Sequence, residues 1–443
     1  PQVHEPLGGF SPDTFRRRRE LTLAGLDDGM LILPAGPVRY RSRDTEYTYR
    51  PDSELFYLSG VTEPGAVAVL RPGEGEQFIL FIRERDPEAE LWSGERVGTG
   101  RARELYGADV VHPIGDLDGR LAELLTGSRS IYYRWGAEQH IDRLVLDALS
   151  RGRARGSRRG TGPRGVMDPG ELLDELRMIK DDEEIEHIRR AARITVDGFR
   201  KALAIAAPGI GEWELEAVME GAFRRAGADG AGYQTIVGGG KNACVLHYVQ
   251  NRCTLQGGEL VLVDAGAEVG LYHADITRTV PVSGRFTDEQ RAVYEVVEAA
   301  HAAAVATARP GATIGAVHQA TVGVITAGLV DLGVLEGLPE TLAEEEKHKP
   351  FYPHQTSHWL GLDVHDVGDY VQVGRSRTLE PGMVFTVEPG LYFRGGGEAG
   401  AARFAGIGVR IEDDFLVTSS GCDNLTGALP TSADSVAELV GRE

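Results

Sequence analysis

Cysteine is scarce in this chain, and the three that occur, Cys244, Cys253 and Cys422, form no C-x-x-C pair. Their spacing excludes a disulfide-built scaffold and a thiolate zinc site, and it fits a reducing compartment. Basic charge is also short: 47 Lys and Arg stand against 67 Asp and Glu, a formal net charge of -20. Such an acidic protein repels nucleic acid and anionic membrane and suits a cationic ligand. No uncharged apolar run reaches membrane-spanning length, and residues 1–10 lack the basic-then-apolar order of an export signal. The expectation is a cytoplasmic protein with no nucleic-acid and no membrane partner.

What is present has globular proportions, 42% hydrophobic and 26% charged residues, over a length of 443 that suits two or three domains. Ser11 and Pro12 open a helix over 10–23, whose Arg16–Arg19 run reads as a solvated face. Buried strands are expected at 29–35, 56–59, 66–70, 77–82, 110–114 and 131–133, with a helix over 138–149. That alternation describes an α/β domain with a parallel or mixed sheet. The segment RGRARGSRRGTGPR, Arg151 to Arg164, has no apolar period and reads as a loop. A domain division follows it, giving 1–174 and 175–443.

Beyond the division, helices are expected over 181–206 and 212–226, joined through Pro208-Gly209, and again over 288–308 and 314–332, joined through Pro310-Gly311. The recurrence suggests two similar halves. Each half continues into glycine-rich strands: 238–247, 259–265 and 271–280 in the first, 383–388 and 408–418 in the second. Helices over one face of a curved, mostly antiparallel sheet make an α+β domain.

Chemistry gathers on these strands. Asp264 ends the apolar run Leu-Val-Leu-Val, and Asp275 lies on the strand returning from Gly270. A hairpin centred between Val269 and Gly270 sets the two aspartates opposite one another. Like charges facing across a sheet are destabilising unless a cation separates them. Glu388 closes Val384-Phe-Thr-Val, and in GVRIEDD the alternation puts Arg410, Glu412 and Asp414 on the face opposite Val409 and Ile411. His354, His358 and His365 fall within twelve positions, and imidazole is the commonest nitrogen ligand for metals. Oxygen donors with one or two imidazoles favour Mn²⁺, Co²⁺ or Mg²⁺, and four carboxylates exceed the needs of one ion, so two bridged ions and metal-assisted hydrolysis follow. The residues alone do not choose among the three histidines.

The order Asp264, Asp275, His358, Glu388, Glu412, within HADITRTVPVSG, HQTSHWLGLDVHDVG, FTVEPGLY and GVRIEDD, resembles the pita-bread metallopeptidases, and among them the bacterial aminopeptidase P family. YRPDSELFYLSGVTEPGAVAVL and ELWSGERVG resemble that family's first domain. The resemblance implies an α/β N-terminal domain and an α+β pita-bread catalytic domain with internal pseudo-duplication. It implies hydrolysis of the N-terminal Xaa-Pro bond of peptides with proline second, two divalent ions (Mn²⁺ first, with Co²⁺ or Zn²⁺ as alternatives), and a homo-oligomer. Asp264 would bind one ion, Asp275 and Glu412 both, and His358 and Glu388 the second. His247 and His365 would line the cleft and steady the tetrahedral intermediate, His354 would stand beside them, and Arg410 would support a bridging carboxylate. A bridging hydroxide would attack the carbonyl while Glu388 handles the proton. A prolidase, confined to Xaa-Pro dipeptides, and a catalytically silent binding protein are the alternative readings.

Overall fold

The computed structural model describes residues 9–155, 162–395 and 399–441. The chain divides into two compact units, Pro1–Leu176 and Arg177–Glu443.

The first unit is built on a six-stranded mixed sheet, in the order Val110–Pro113, Phe78–Ile82, Val67–Leu70, Gly29–Pro34, Ser130–Tyr132, Gly165–Met167. Val67–Leu70 pairs antiparallel with both of its neighbours, and the other three pairings are parallel. Met30, Ile32, Val69 and Phe81 pack with Leu121, Leu125 and Val145 of the covering helices. One expected strand is a helix. Residues 56–59 end the helix Ser53–Ser59, which Asp52 caps through Leu55 N–H at 3.0 Å and left-handed Gly60 stops. All seven of its residues are buried, so no hydrophobic period marked it as helical, and a short buried run cannot be told from a strand by pattern alone.

The arginine run also departs from expectation. Arg16 and Arg17 are solvated, but Arg18 and Arg19 are buried and donate to the carbonyls of Tyr57 and Leu58 at 3.2 and 2.9 Å. They meet the free carbonyls at that short helix's C-terminal end, where cations are favoured. The helix Gln139–Arg155 takes in the first five residues of the expected Arg151 to Arg164 loop, and residues 156–161 of that loop lie outside the described residues.

In the second unit the helix pairs Asp182–Ala204 with Glu212–Arg225, and Asp288–Thr307 with Ile314–Asp331, pack side by side. Reciprocal caps, Asp181 with Glu184 and Thr287 with Gln290, start the first helix of each pair. Ile314–Asp331 is long and apolar enough to cross a membrane by length and composition, which the sequence reading missed. Its Val317, Val322, Ile325 and Leu329 are buried within the protein instead.

Antiparallel strands fill the rest. Ile236–Gly239, Leu260–Ala265 and Ile276–Pro281 form one sheet, Val384–Val387, Asp413–Val417 and Cys422–Asn424 another, and Thr277 bridges to Glu412 between them. Three expected strands are shorter than their apolar runs. Residues 240–244 leave the sheet in a tight turn, so His247 lies in an irregular segment. The 271–280 run breaks at Ala274 and Asp275, and the 408–418 run at Ile411 and Glu412. The hairpin register also differs by two. Gly270 and Leu271, both at positive φ, form the turn, so Asp264 faces Thr277 instead of Asp275. A shift of two preserves the face, and both aspartates stay on one side of the sheet.

Candidate metal centre

A cleft of about 890 Å³ is lined by all nine side chains singled out above: His247, Asp264, Asp275, His354, His358, His365, Glu388, Arg410 and Glu412. Strand pairing accounts for three of the carboxylates. Asp264, Thr277 and Glu412 lie side by side across three segments, and Thr277 Oγ1 donates to Glu412 Oε2 at 2.7 Å. Glu388 arrives at the end of Val384–Val387, its N–H donating to Thr356 O at 2.8 Å while Thr386 N–H donates to His358 O at 2.9 Å. Those two bonds lay residues 356–359 along the strand and set His358 beside Glu388.

His358 Nε2 stands 3.4 Å from Asp275 Oδ2, 3.8 Å from Glu388 Oε1 and 3.9 Å from Glu412 Oε1. One ligand atom each of Asp275, His358 and Glu412 lies within 4.8 Å of the others. Hydrogen bonds separate the histidines by role. The His358 Nδ1 hydrogen points to Trp359 O at 2.9 Å, because a carbonyl only accepts, and Nε2 is left to face the carboxylates. His354 likewise donates from Nδ1 to Gln355 O at 2.8 Å, but its Nε2, 2.9 Å from Tyr392 Oη, takes that hydroxyl's hydrogen and has no lone pair to spare. Tyr392 Oη in turn accepts from Arg410 Nη1 at 3.0 Å.

Electrostatics make the same division. Burial pushes Glu388 up to about 7, and burial, reinforced by the charge of Asp275, holds Glu412 well above the carboxylate range. Asp264 is raised by burial too, although Arg410 pairs with its Oδ2 and draws it back. Burial opposes charge on His358, yet its contact with Asp275 and the charge of Glu388 hold its pKa at about 9. Burial, assisted by Arg410, drops His354 to about 3 and keeps it neutral. The pocket thus concentrates more negative charge than its side chains neutralise, and oxygen donors around one free imidazole nitrogen fit divalent cations.

Four residues that sequence reasoning did not assign to the site hold it in shape. Tyr233 Oη lies 2.7 Å from Asp264 Oδ1 and also bonds to Asp275 Oδ1; with one hydrogen it serves one carboxylate at a time. Tyr233 sits in an aperiodic loop that gave no signal. Thr277 accepts from Arg410 Nε at 3.1 Å, and period-two counting from Asp275 could have found it. Tyr392 lay unremarked inside FTVEPGLY. Asp414, buried, accepts the backbone N–H of Asp275 at 3.0 Å where the ladder is broken.

Residues 186–419 match the model of metallopeptidase family M24, and residues 15–132 match that of the aminopeptidase P N-terminal domain. The chain belongs to metallopeptidase family M24. It is 41% identical to the Xaa-Pro aminopeptidase of Escherichia coli, over 98% of this chain and 99% of that one. Among solved structures it is similar to an aminopeptidase of Pseudomonas aeruginosa, with a TM-score of 0.92 and 43% identity over 97% of this chain and 98% of that one. It is also similar to proline aminopeptidase P II of Yersinia pestis, with a TM-score of 0.93 and 40% identity over 98% and 100%. The α/β N-terminal domain and α+β pita-bread domain are those of the family, and the M24 protein is a hydrolase that uses divalent metal.

Proposed function

We propose that this M24 enzyme removes the first residue of peptides whose second residue is proline, using two divalent ions, with Mn²⁺ first in order. The single observation that carries this reading is one cleft in which Asp275, Glu388 and Glu412 stand within 3.9 Å of His358 Nε2 and Asp264 lines the same wall. Full-length similarity to an Xaa-Pro aminopeptidase supports the choice of substrate. Asp264, Asp275, His358, Glu388 and Glu412 would hold the ions. When bound, such ions lower the pKa of water and polarise a carbonyl.

The chain's own residues supply the rest. Glu388, on the cleft wall beside His358, handles the proton of the attacking water. Arg410 stays cationic: burial opposes its charge, but Tyr392, Asp264, Glu412 and Glu388 outweigh burial. It orients Asp264 directly and Glu412 through Thr277. His365 and His247, on the cleft wall, steady the oxyanion of the tetrahedral intermediate, and the acidic cleft draws the substrate's free ammonium.

Assaying an Xaa-Pro dipeptide beside an Xaa-Pro-Yaa tripeptide, on stripped protein reloaded with each divalent ion, tests the reading. Hydrolysis of the tripeptide with release of its first residue is expected. Activity confined to the dipeptide would make the protein a prolidase, and neither bound metal nor activity would make it a binding protein.

A further inference from the structure

His365 lies exposed on the cleft wall, and among the described residues no hydrogen bond holds its ring. It meets the His358 ring edge-on, with centroids 4.5 Å apart. An imidazole without its own anchor is placed by its backbone, so the attachment of residues 359–366 decides where it points. Asp366 N–H donates to Trp359 O at 2.9 Å, Gly361 N–H to Asp363 O at 3.1 Å, and Leu360 N–H to Val384 O at 3.1 Å. These bonds close the segment into a loop fastened to the strand that leads to Glu388.

The residue following His365 is more firmly held than any of these. Asp366 Oδ1 accepts from Arg177 Nη2 at 2.5 Å and Oδ2 from Lys180 Nζ at 2.9 Å, with all three side chains at most 2% exposed. Arg177 also reaches Asp363 at 2.6 Å, and Lys180 N–H is bonded to Gly382 O at 2.9 Å. A Cβ at Gly361 would come within 2.3 Å of Asp366 Oδ2 and 2.8 Å of Lys180 Cε, so the cluster leaves no room for a side chain there. Buried ion pairs contribute little net stability because desolvation offsets attraction. Two cations converging on Asp366, one of them shared with Asp363, beside a cleft histidine therefore call for a reason other than stability.

We propose that Asp366, gripped by Lys180 and Arg177, is a positioning residue for His365: it fixes the backbone that aims this imidazole into the cleft. The inference rests on the reading of His365 as an oxyanion-stabilising group. Lys180→Met tests it, since the Arg177 pair and most of the stem volume remain. Metal content and circular dichroism are expected to stay as in the parent and KM to hold, while kcat on an Xaa-Pro-Yaa tripeptide falls by about tenfold to a hundredfold. Lys180→Arg restores most of the loss. In a His365→Ala background Lys180→Met changes kcat no further, because its effect passes through the missing ring.

Independent, multiplying losses in the double variant would overturn the proposal, as would parental kcat in Lys180→Met. Parental kcat in His365→Ala would instead defeat the reading of His365 itself and take the proposal with it. Where Lys180→Met does not fold, Gly361→Ala, which displaces the same carboxylate, enters the same cycle with the same expectations.

Discussion

Stripped of metal, the protein is expected to lose stability as pH rises from 6.5 to about 9; His358 is one cause, and Glu412, held well above the carboxylate range by burial, acts in the same direction. The His358 ring is 14% exposed and faces three carboxylates within 3.9 Å; burial opposes its charge, but Asp275 and Glu388 hold its pKa at about 9 against an ordinary 6.5. The folded state therefore keeps a proton that the unfolded chain gives up. Stabilisation from this group is complete below pH 6.5 and disappears as pH climbs through the folded value. A displacement of that size corresponds to about 3 kcal/mol. Glu388, raised to about 7 by burial, adds to the fall below neutrality. His354, lowered by burial to about 3, gives its whole contribution by pH 6.5 and adds no slope above it. On the proposed ligand set, loading with Mn²⁺ is expected to replace the His358 proton and reduce the slope. Urea unfolding at pH 6.5 and pH 9, with and without metal, measures this through the fluorescence of Trp359, which is fully buried in the catalytic unit. Equal or greater stability of the stripped protein at pH 9 would refute the reasoning, and so would an undiminished slope in His358→Ala.

The remaining expectations concern single substitutions. Tyr233→Phe, which takes away the hydroxyl between Asp264 and Asp275, should weaken metal binding by about tenfold to a hundredfold, read as metal retained after dialysis, with circular dichroism unchanged. His358→Ala should lose metal. His365→Ala should keep it and lose turnover by about a hundredfold or more, a contrast visible in parallel metal analysis and peptidase assays. Gly266→Ala would bring a Cβ to within 1.6 Å of the Ala274 carbonyl, and a loss of about 3 kcal/mol in urea unfolding is expected.

Strands and helices with a clean period were legible in the sequence. Ile188, Ala192, Val196 and Phe199 recur at helical spacing and are buried, and alternation correctly turned Val409 and Ile411 to the core with Arg410 and Glu412 toward the cleft. Where burial was continuous the period vanished, and residues 56–59 were misread. The hairpin register was misplaced because Leu271, a residue that sterics disfavour at positive φ, occupies the turn. The carboxylates announced themselves by being charges on apolar strands. The choice among histidines could not be made from spacing, since it depends on which ring nitrogen meets a carbonyl and which meets the hydroxyl of Tyr392. Tyr233, neutral and aperiodic, offered nothing to read.

The bridge between Thr277 and Glu412 joins strands from the two pseudo-duplicated halves. At that seam Arg278 Nη1 donates to Glu412 O at 2.6 Å and Nη2 to Asp413 Oδ1 at 2.7 Å, both from a fully buried guanidinium. Asp264 and Asp275 come from one half, His358, Glu388 and Glu412 from the other, so neither half owns the whole of the proposed ligand set. During synthesis the first half emerges with Asp264 and Asp275 but without His358, Glu388 and Glu412. On the proposed ligand set, a chain cut between the halves is expected to bind no metal and to show no peptidase activity, and only closure of the whole catalytic unit would assemble the site.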